Sequence, residues 1–140
     1  MAALVSQGSW RGWMLAAASV LLGGLSGEAL AEKRAFEMNI EDTRIVLVEK
    51  QQFHTFAYAG QVPGPLFYVN EDDDIEVTVN NLTALPHTIH WHGLLQRGTW
   101  QMDGVPEVTQ EGIPPGDSFT YKFKAEPSGT MWYQIGRAHV

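Results

Sequence analysis

His87-Thr88-Ile89-His90-Trp91-His92-Gly93 is expected to run extended. Alternate side chains of a β-strand share a face, so His90 and His92 point the same way while Trp91 points to the other side. Two imidazoles on one face can hold a metal ion. Imidazole suits copper, zinc, iron and nickel alike, so the pair alone names no metal. The competing possibility is a pair of solvated histidines with no ligand role.

Strand patterning continues on both sides of this stretch. Upstream, Phe36, Met38 and Ile40 alternate with Glu37, Asn39 and Glu41, which predicts a half-buried strand. Asp42-Thr43 is expected to turn, residues 45–48 to form a second strand, and residues 53–58 to continue it. His54 stands alone there, with nothing beside it to complete a site. Gly60-Gln61-Val62-Pro63-Gly64-Pro65 forbids helix, because each proline fixes its own φ and biases its predecessor to extended geometry. A strand is expected to start at residues 66–69. Glu71-Asp72-Asp73-Asp74 follows, an acidic run without the spacing or glycine of a calcium loop, expected to be a solvated turn. Ile75, Val77 and Val79 then alternate with polar partners. Pro86 confines the next strand to residues 87–94, and residues 98–104 are expected to be loop. Beyond Ile113-Pro114-Pro115-Gly116-Asp117, the side chains of Phe119, Tyr121 and Phe123 share a face, and Pro127-Ser128-Gly129 turns the chain into Thr130-Met131-Trp132-Tyr133. Short strands at regular spacing with Gly/Pro turns predict an all-β, antiparallel Greek-key sandwich.

Composition narrows the function. The chain has 140 residues, 44% of them hydrophobic and 18% charged, which suits one packed domain or part of one. Arg11, an apolar run over residues 13–22, a Gly/Ser stretch and Ala29-Leu30-Ala31 together predict a signal peptide over residues 1–31, hence export to the periplasm or outside the cell. The run falls short of the roughly 20 apolar residues that span a bilayer, and Gly12 after Arg11 excludes a twin-arginine signal. Loss of that segment removes one basic and one acidic residue, so the net charge stays at −7. An acidic surface argues against nucleic acid and anionic lipid as partners. With no cysteine in the chain, disulfides and thiolate metal sites are excluded, the His/Cys blue-copper centre among them.

Four stretches in order carry a family likeness: Tyr58-Ala59-Gly60-Gln61-Val62-Pro63-Gly64-Pro65, then residues 87–93, then Leu95-Gln96-Arg97-Gly98-Thr99-Trp100-Gln101-Met102-Asp103-Gly104, then Gly129-Thr130-Met131-Trp132-Tyr133. Together they resemble the first cupredoxin (plastocyanin-like) domain of multicopper oxidases of the laccase and ascorbate oxidase type. The resemblance implies a trinuclear copper cluster between the first and last domains, held by four His-x-His motifs. It implies His90 as a ligand of the type 2 copper, His92 as a ligand of one type 3 copper, and Asp103 as an acid that helps supply protons for oxygen reduction. His87, on the face opposite His90, is not counted as a ligand. Trp91, Trp100 and Trp132 are expected to pack the sandwich. The implied partners are O₂, a small reducing substrate and further cupredoxin domains of the same chain.

One departure stands out. In the family, Trp132-Tyr133 leads into a second His-x-His, whereas Gln134-Ile135-Gly136-Arg137-Ala138-His139-Val140 follows here. Ile-Gly-Arg-Ala-His-Val is the translation of the sequencing-adapter string ATCGGAAGAGCACACGTC, and the adapter's preceding AG after a C makes a glutamine codon. Residues 135–140 are therefore expected to derive from adapter, Gln134 to stand in place of a histidine, and His139 to have no copper role. Residues 32–134 would then be a partial domain, a sandwich incomplete at its C-terminal end. The alternatives are a stand-alone exported copper carrier and a structural sandwich without metal; later cupredoxin domains downstream would exclude both.

Overall fold

The computed structural model describes residues 31–46, 48 and 50–136. The signal segment expected over residues 1–31 lies outside the described residues except for Ala31, as do residues 137–140 of the expected adapter stretch. Among the described residues six strands appear in chain order: β1 (Lys33–Val46), β2 (Gln52–Tyr58), β3 (Asp74–Asn81), β4 (Ile89–His92), β5 (Ser118–Lys124) and β6 (Trp132–Ile135). They form a four-stranded sheet in the order β2-β1-β3-β5 and a two-stranded sheet of β4 and β6. The expected all-β sandwich is present.

The alternation read from the sequence places the core. Met38 and Ile40 of β1, Ile75, Val77 and Val79 of β3, and Tyr121 and Phe123 of β5 line one face of the larger sheet, all buried. Ile89 and Trp91 of β4 meet them from the smaller sheet. The Trp91 ring lies 5.4 Å from Tyr121, 5.0 Å from Phe123 and 5.7 Å from Tyr133, tilted or edge-on in each case, as aromatic quadrupoles prefer. On the outer face, Glu76 sits between Lys33 at 2.9 Å and Lys122 at 3.1 Å.

Several expectations give way to long-range pairing. No turn forms at Asp42-Thr43; β1 runs through to Val46 because these two residues pair with Phe56 and Thr55 of β2, and β2 folds back antiparallel rather than continuing β1. The first half of β1 pairs in parallel with β3, so the sandwich is mixed and not purely antiparallel. Residues 66–69 find no ladder partner among the described residues and are not a strand. The strand expected over residues 87–94 is confined to β4, with His87 in an isolated bridge to Ile113. A 3-10 turn, Trp100–Met102, interrupts the expected loop. Trp91 is a core residue, but Trp100 and Trp132 are 56% and 62% exposed and do not pack the sandwich. Nor is the acidic run wholly solvated, since Asp73 is completely buried. Among the described residues no helix is long and apolar enough to cross a membrane.

Candidate metal centre

β4 alternates buried, half-buried, buried, exposed along Ile89, His90, Trp91 and His92. Trp91 and Ile89 are drawn into the core, and this turns both imidazoles outward on the opposite face. Their ring centroids lie 5.5 Å apart with the planes at 69°. The expected pairing of His90 and His92 is thus realised.

β4 is fixed in place from three directions. Tyr121 on β5 accepts the Ile89 amide on its hydroxyl at 2.9 Å, which ties the two sheets together. Strand β6 pairs with β4 in antiparallel register, Ile89 opposite Ile135, His90 opposite Gln134 and His92 opposite Trp132. On the other side, the Asp103-Gly104 corner closes over β4. Thr88 donates its hydroxyl to the Gly104 carbonyl at 2.6 Å, and the Trp91 amide donates to the Asp103 carbonyl at 3.4 Å. Gly104 has φ +79°, and a Cβ there would collide with the Ile89 carbonyl, so only glycine fits this approach.

That corner sets the tautomer of His90. Its Nδ1 lies 2.9 Å from the Asp103 carbonyl oxygen, and a carbonyl can only accept. His90 therefore donates from Nδ1, and Nε2 carries the lone pair a metal needs. The Asp103 carboxylate is close as well, with Oδ2 3.4 Å from the same nitrogen. His92 is oriented differently, by the edge-on ring of Trp132 at 4.8 Å and 81°.

The other sequence candidates fall elsewhere. His87 is 1% exposed and lies against Phe56, the ring centroids 4.4 Å apart and the planes tilted at 58°, inside the sandwich and away from the pair. His54 is exposed on β2, where its Nε2 accepts from Arg44 at 3.2 Å. Gln134 stands directly across from His90, so its side chain shares the outer face with the pair. Position 136 is tighter: a Cβ on Gly136 would meet the Thr88 hydroxyl and the Gly104 carbonyl. Among the described residues no group of three or more His, Cys, Asp or Glu gathers to hold a metal. Two imidazoles, one with its tautomer fixed by a backbone carbonyl, fit copper as part of a larger ligand set. The strand pattern gave Tyr121 as a face-sharing residue of its strand, but not the support that Thr88, Gly104, Tyr121 and Trp132 give to β4 and its histidines. A glycine directly after Asp103 was the one local signal of a close approach.

A family model described as Multicopper oxidase matches residues 39–137. The chain is 54% identical over 74 residues to "Multicopper oxidase MCE" of Talaromyces pinophilus and 53% identical over 74 residues to "Laccase-1" of Emericella nidulans, each match covering 53% of this chain and 12% of the relative. It is similar to the crystal structure of a blue copper oxidase from Nitrosomonas europaea, with TM-score 0.73 and 69% identity over 74% of this chain and 33% of that one. A laccase from Botrytis aclada gives TM-score 0.73 at 34% identity, covering 76% of this chain and 20% of that one. The chain thus spans a third or less of the length of these relatives. The match over most of its length, on a cupredoxin-like sandwich that turns the two histidines of β4 outward together, shows that the chain belongs to the multicopper oxidase family.

Proposed function

We propose that this chain is the amino-terminal cupredoxin domain of an exported multicopper oxidase, and that His90 and His92 each give an imidazole to a trinuclear copper cluster completed by a later domain of the same protein. His90 takes the type 2 ion and His92 one of the type 3 ions. The observation that supports both histidines as ligands is the outward pair itself, with the Nδ1–H of His90 committed to Asp103 and its Nε2 left open; their division between the type 2 and type 3 ions follows the family resemblance. A cluster held there would supply the reduction of O₂ to water, using single electrons that a type 1 copper in a later domain would take from a small reducing substrate.

The chain's own residues supply the setting. Asp103 stands beside His90 with its carboxylate half-buried, where it can hold a proton and release it toward the face that carries the histidines. Trp91 anchors the strand from behind, so the two rings keep their spacing. Gln134, opposite His90, occupies a position from which a histidine would join the pair. We take the natural residue there to be histidine, residues 135–140 to be foreign to the protein, and residues 1–31 to be its export signal.

The test is the gene's sequence across and beyond the codon for Gln134, followed by expression of the complete protein. His-x-His after Tyr133, later domains with two further His-x-His motifs and a His-Cys-His, and a product that takes up copper and consumes oxygen are the expected results. A stop codon soon after β6 would replace the oxidase with a copper carrier or a structural domain.

A further inference from the structure

Thr88 immediately precedes β4, two residues before His90, and is completely buried. Its hydroxyl has one acceptor, the Gly104 carbonyl at 2.6 Å. The neighbouring carbonyl, that of Asp103, takes the Nδ1 proton of His90 at 2.9 Å. Gly104 has no side chain and φ +79°, so its own backbone does little to hold the corner in one conformation. The Asp103 amide on the Trp100 carbonyl and the Val105 amide on the Thr109 hydroxyl brace its flanks, and residues 88–91 hold its two carbonyls: the Thr88 hydroxyl on that of Gly104, His90 Nδ1 and the Trp91 amide on that of Asp103.

We propose that Thr88 is a positioning residue for His90: its buried hydroxyl clamps Gly104 so that the Asp103 carbonyl stays where it accepts the Nδ1 proton, which keeps Nε2 free for copper. The proposal rests on His90 being a copper ligand. Without the hydroxyl, the Gly104 carbonyl loses a buried donor and the corner turns to seek another. His90 then divides between its two tautomers, and only one of them presents Nε2 to the metal. Partners that orient a metal-bound imidazole are worth about 10–100-fold in metal affinity, and a loss of that order is expected.

The experiment uses the complete copper-loaded protein with Thr88→Val, Thr88→Ala and Thr88→Ser. Valine keeps the shape and removes the hydroxyl; serine keeps the hydroxyl. Type 2 copper is followed by electron paramagnetic resonance during titration with a chelator. The His90 ring nitrogens are followed by ¹⁵N NMR in the copper-free protein. Wild type and Thr88→Ser are expected to hold type 2 copper alike and to carry the His90 proton on Nδ1. Thr88→Val is expected to release that copper about 10–100-fold more readily and to show mixed tautomers, with the blue type 1 absorption of a later domain unchanged. A Thr88→Val protein indistinguishable from wild type overturns the proposal, and so does equal loss in the valine and serine variants. If valine and alanine both prevent folding while serine folds, the hydroxyl serves the fold and the proposal is wrong. Retention of the type 2 signal in His90→Ala overturns the copper assignment itself, whereas loss there with no change in Thr88→Val overturns the clamp alone.

Discussion

Asp73 accepts hydrogen bonds from the Glu32 amide at 2.8 Å and the Asn70 amide at 2.9 Å, and Arg34 Nε lies 3.3 Å away. These amide donors, with the guanidinium, hold its carboxyl below the usual carboxylate range. A depressed native value means the unfolded chain binds the proton first as pH falls. The stabilisation is therefore complete above the unfolded value of about 4 and disappears as pH drops through the lower native value. Urea unfolding of Asp73→Asn against wild type is expected to show a clear gap at pH 7 that closes in strong acid. The four consecutive acids look alike as sequence; the arrival of the distant Glu32 amide and Arg34 guanidinium, beside the nearby Asn70 amide, makes Asp73 different from its neighbours. Gly104 gives a second prediction on the same scale. Gly104→Ala forces a left-handed conformation and a collision with the Ile89 carbonyl, so it should cost at least about 1–3 kcal/mol in thermal unfolding.

Among the elements, β4 depends on residues far away in sequence. Tyr121 supplies the acceptor for the Ile89 amide, and Tyr121→Phe leaves that buried donor bare. A loss of about 1–3 kcal/mol is expected by denaturant unfolding. Burial pushes the Tyr121 hydroxyl up to about 12. In the unfolded chain it ionises near 10, so wild-type stability should fall as pH rises above about 10, and Tyr121→Phe should flatten part of that fall. Strands β3 and β5 could be read from their alternation because the pattern is local and one face is buried. The extent of β1 could not, since Asp42 and Thr43 look like a turn until β2 pairs with them. Residues 66–69 fail as a strand for the converse reason: their composition is right, and the described residues give them no ladder partner. The His90 and His92 pair came from period-two geometry, whereas the clamp of Thr88 and Gly104 depends on an approach across 16 residues.

At the scale of the whole molecule, the larger sheet and the β4–β6 pair leave an apolar groove of about 200 Å³ between Phe36, Phe67, Trp91, Leu94, Phe123 and Tyr133. Leu66, Tyr68 and Trp132 stand exposed, with Leu66 and Trp132 lining that groove. Exposed apolar surface of this kind drives association. A protein limited to residues 32–136 is expected to bind a hydrophobic dye and to self-associate in light scattering, and the complete protein to do neither. The family could be recognised from the order of four short motifs, which carries more information than the histidine pair alone. The central claim is that His90 and His92 feed a copper cluster, and it is tested most directly by copper content and electron paramagnetic resonance of the complete protein with His90→Ala and His92→Ala. Each variant is predicted to lose cluster copper and oxygen consumption while keeping the blue type 1 absorption. Full copper content and undiminished oxygen consumption in both variants would contradict the account.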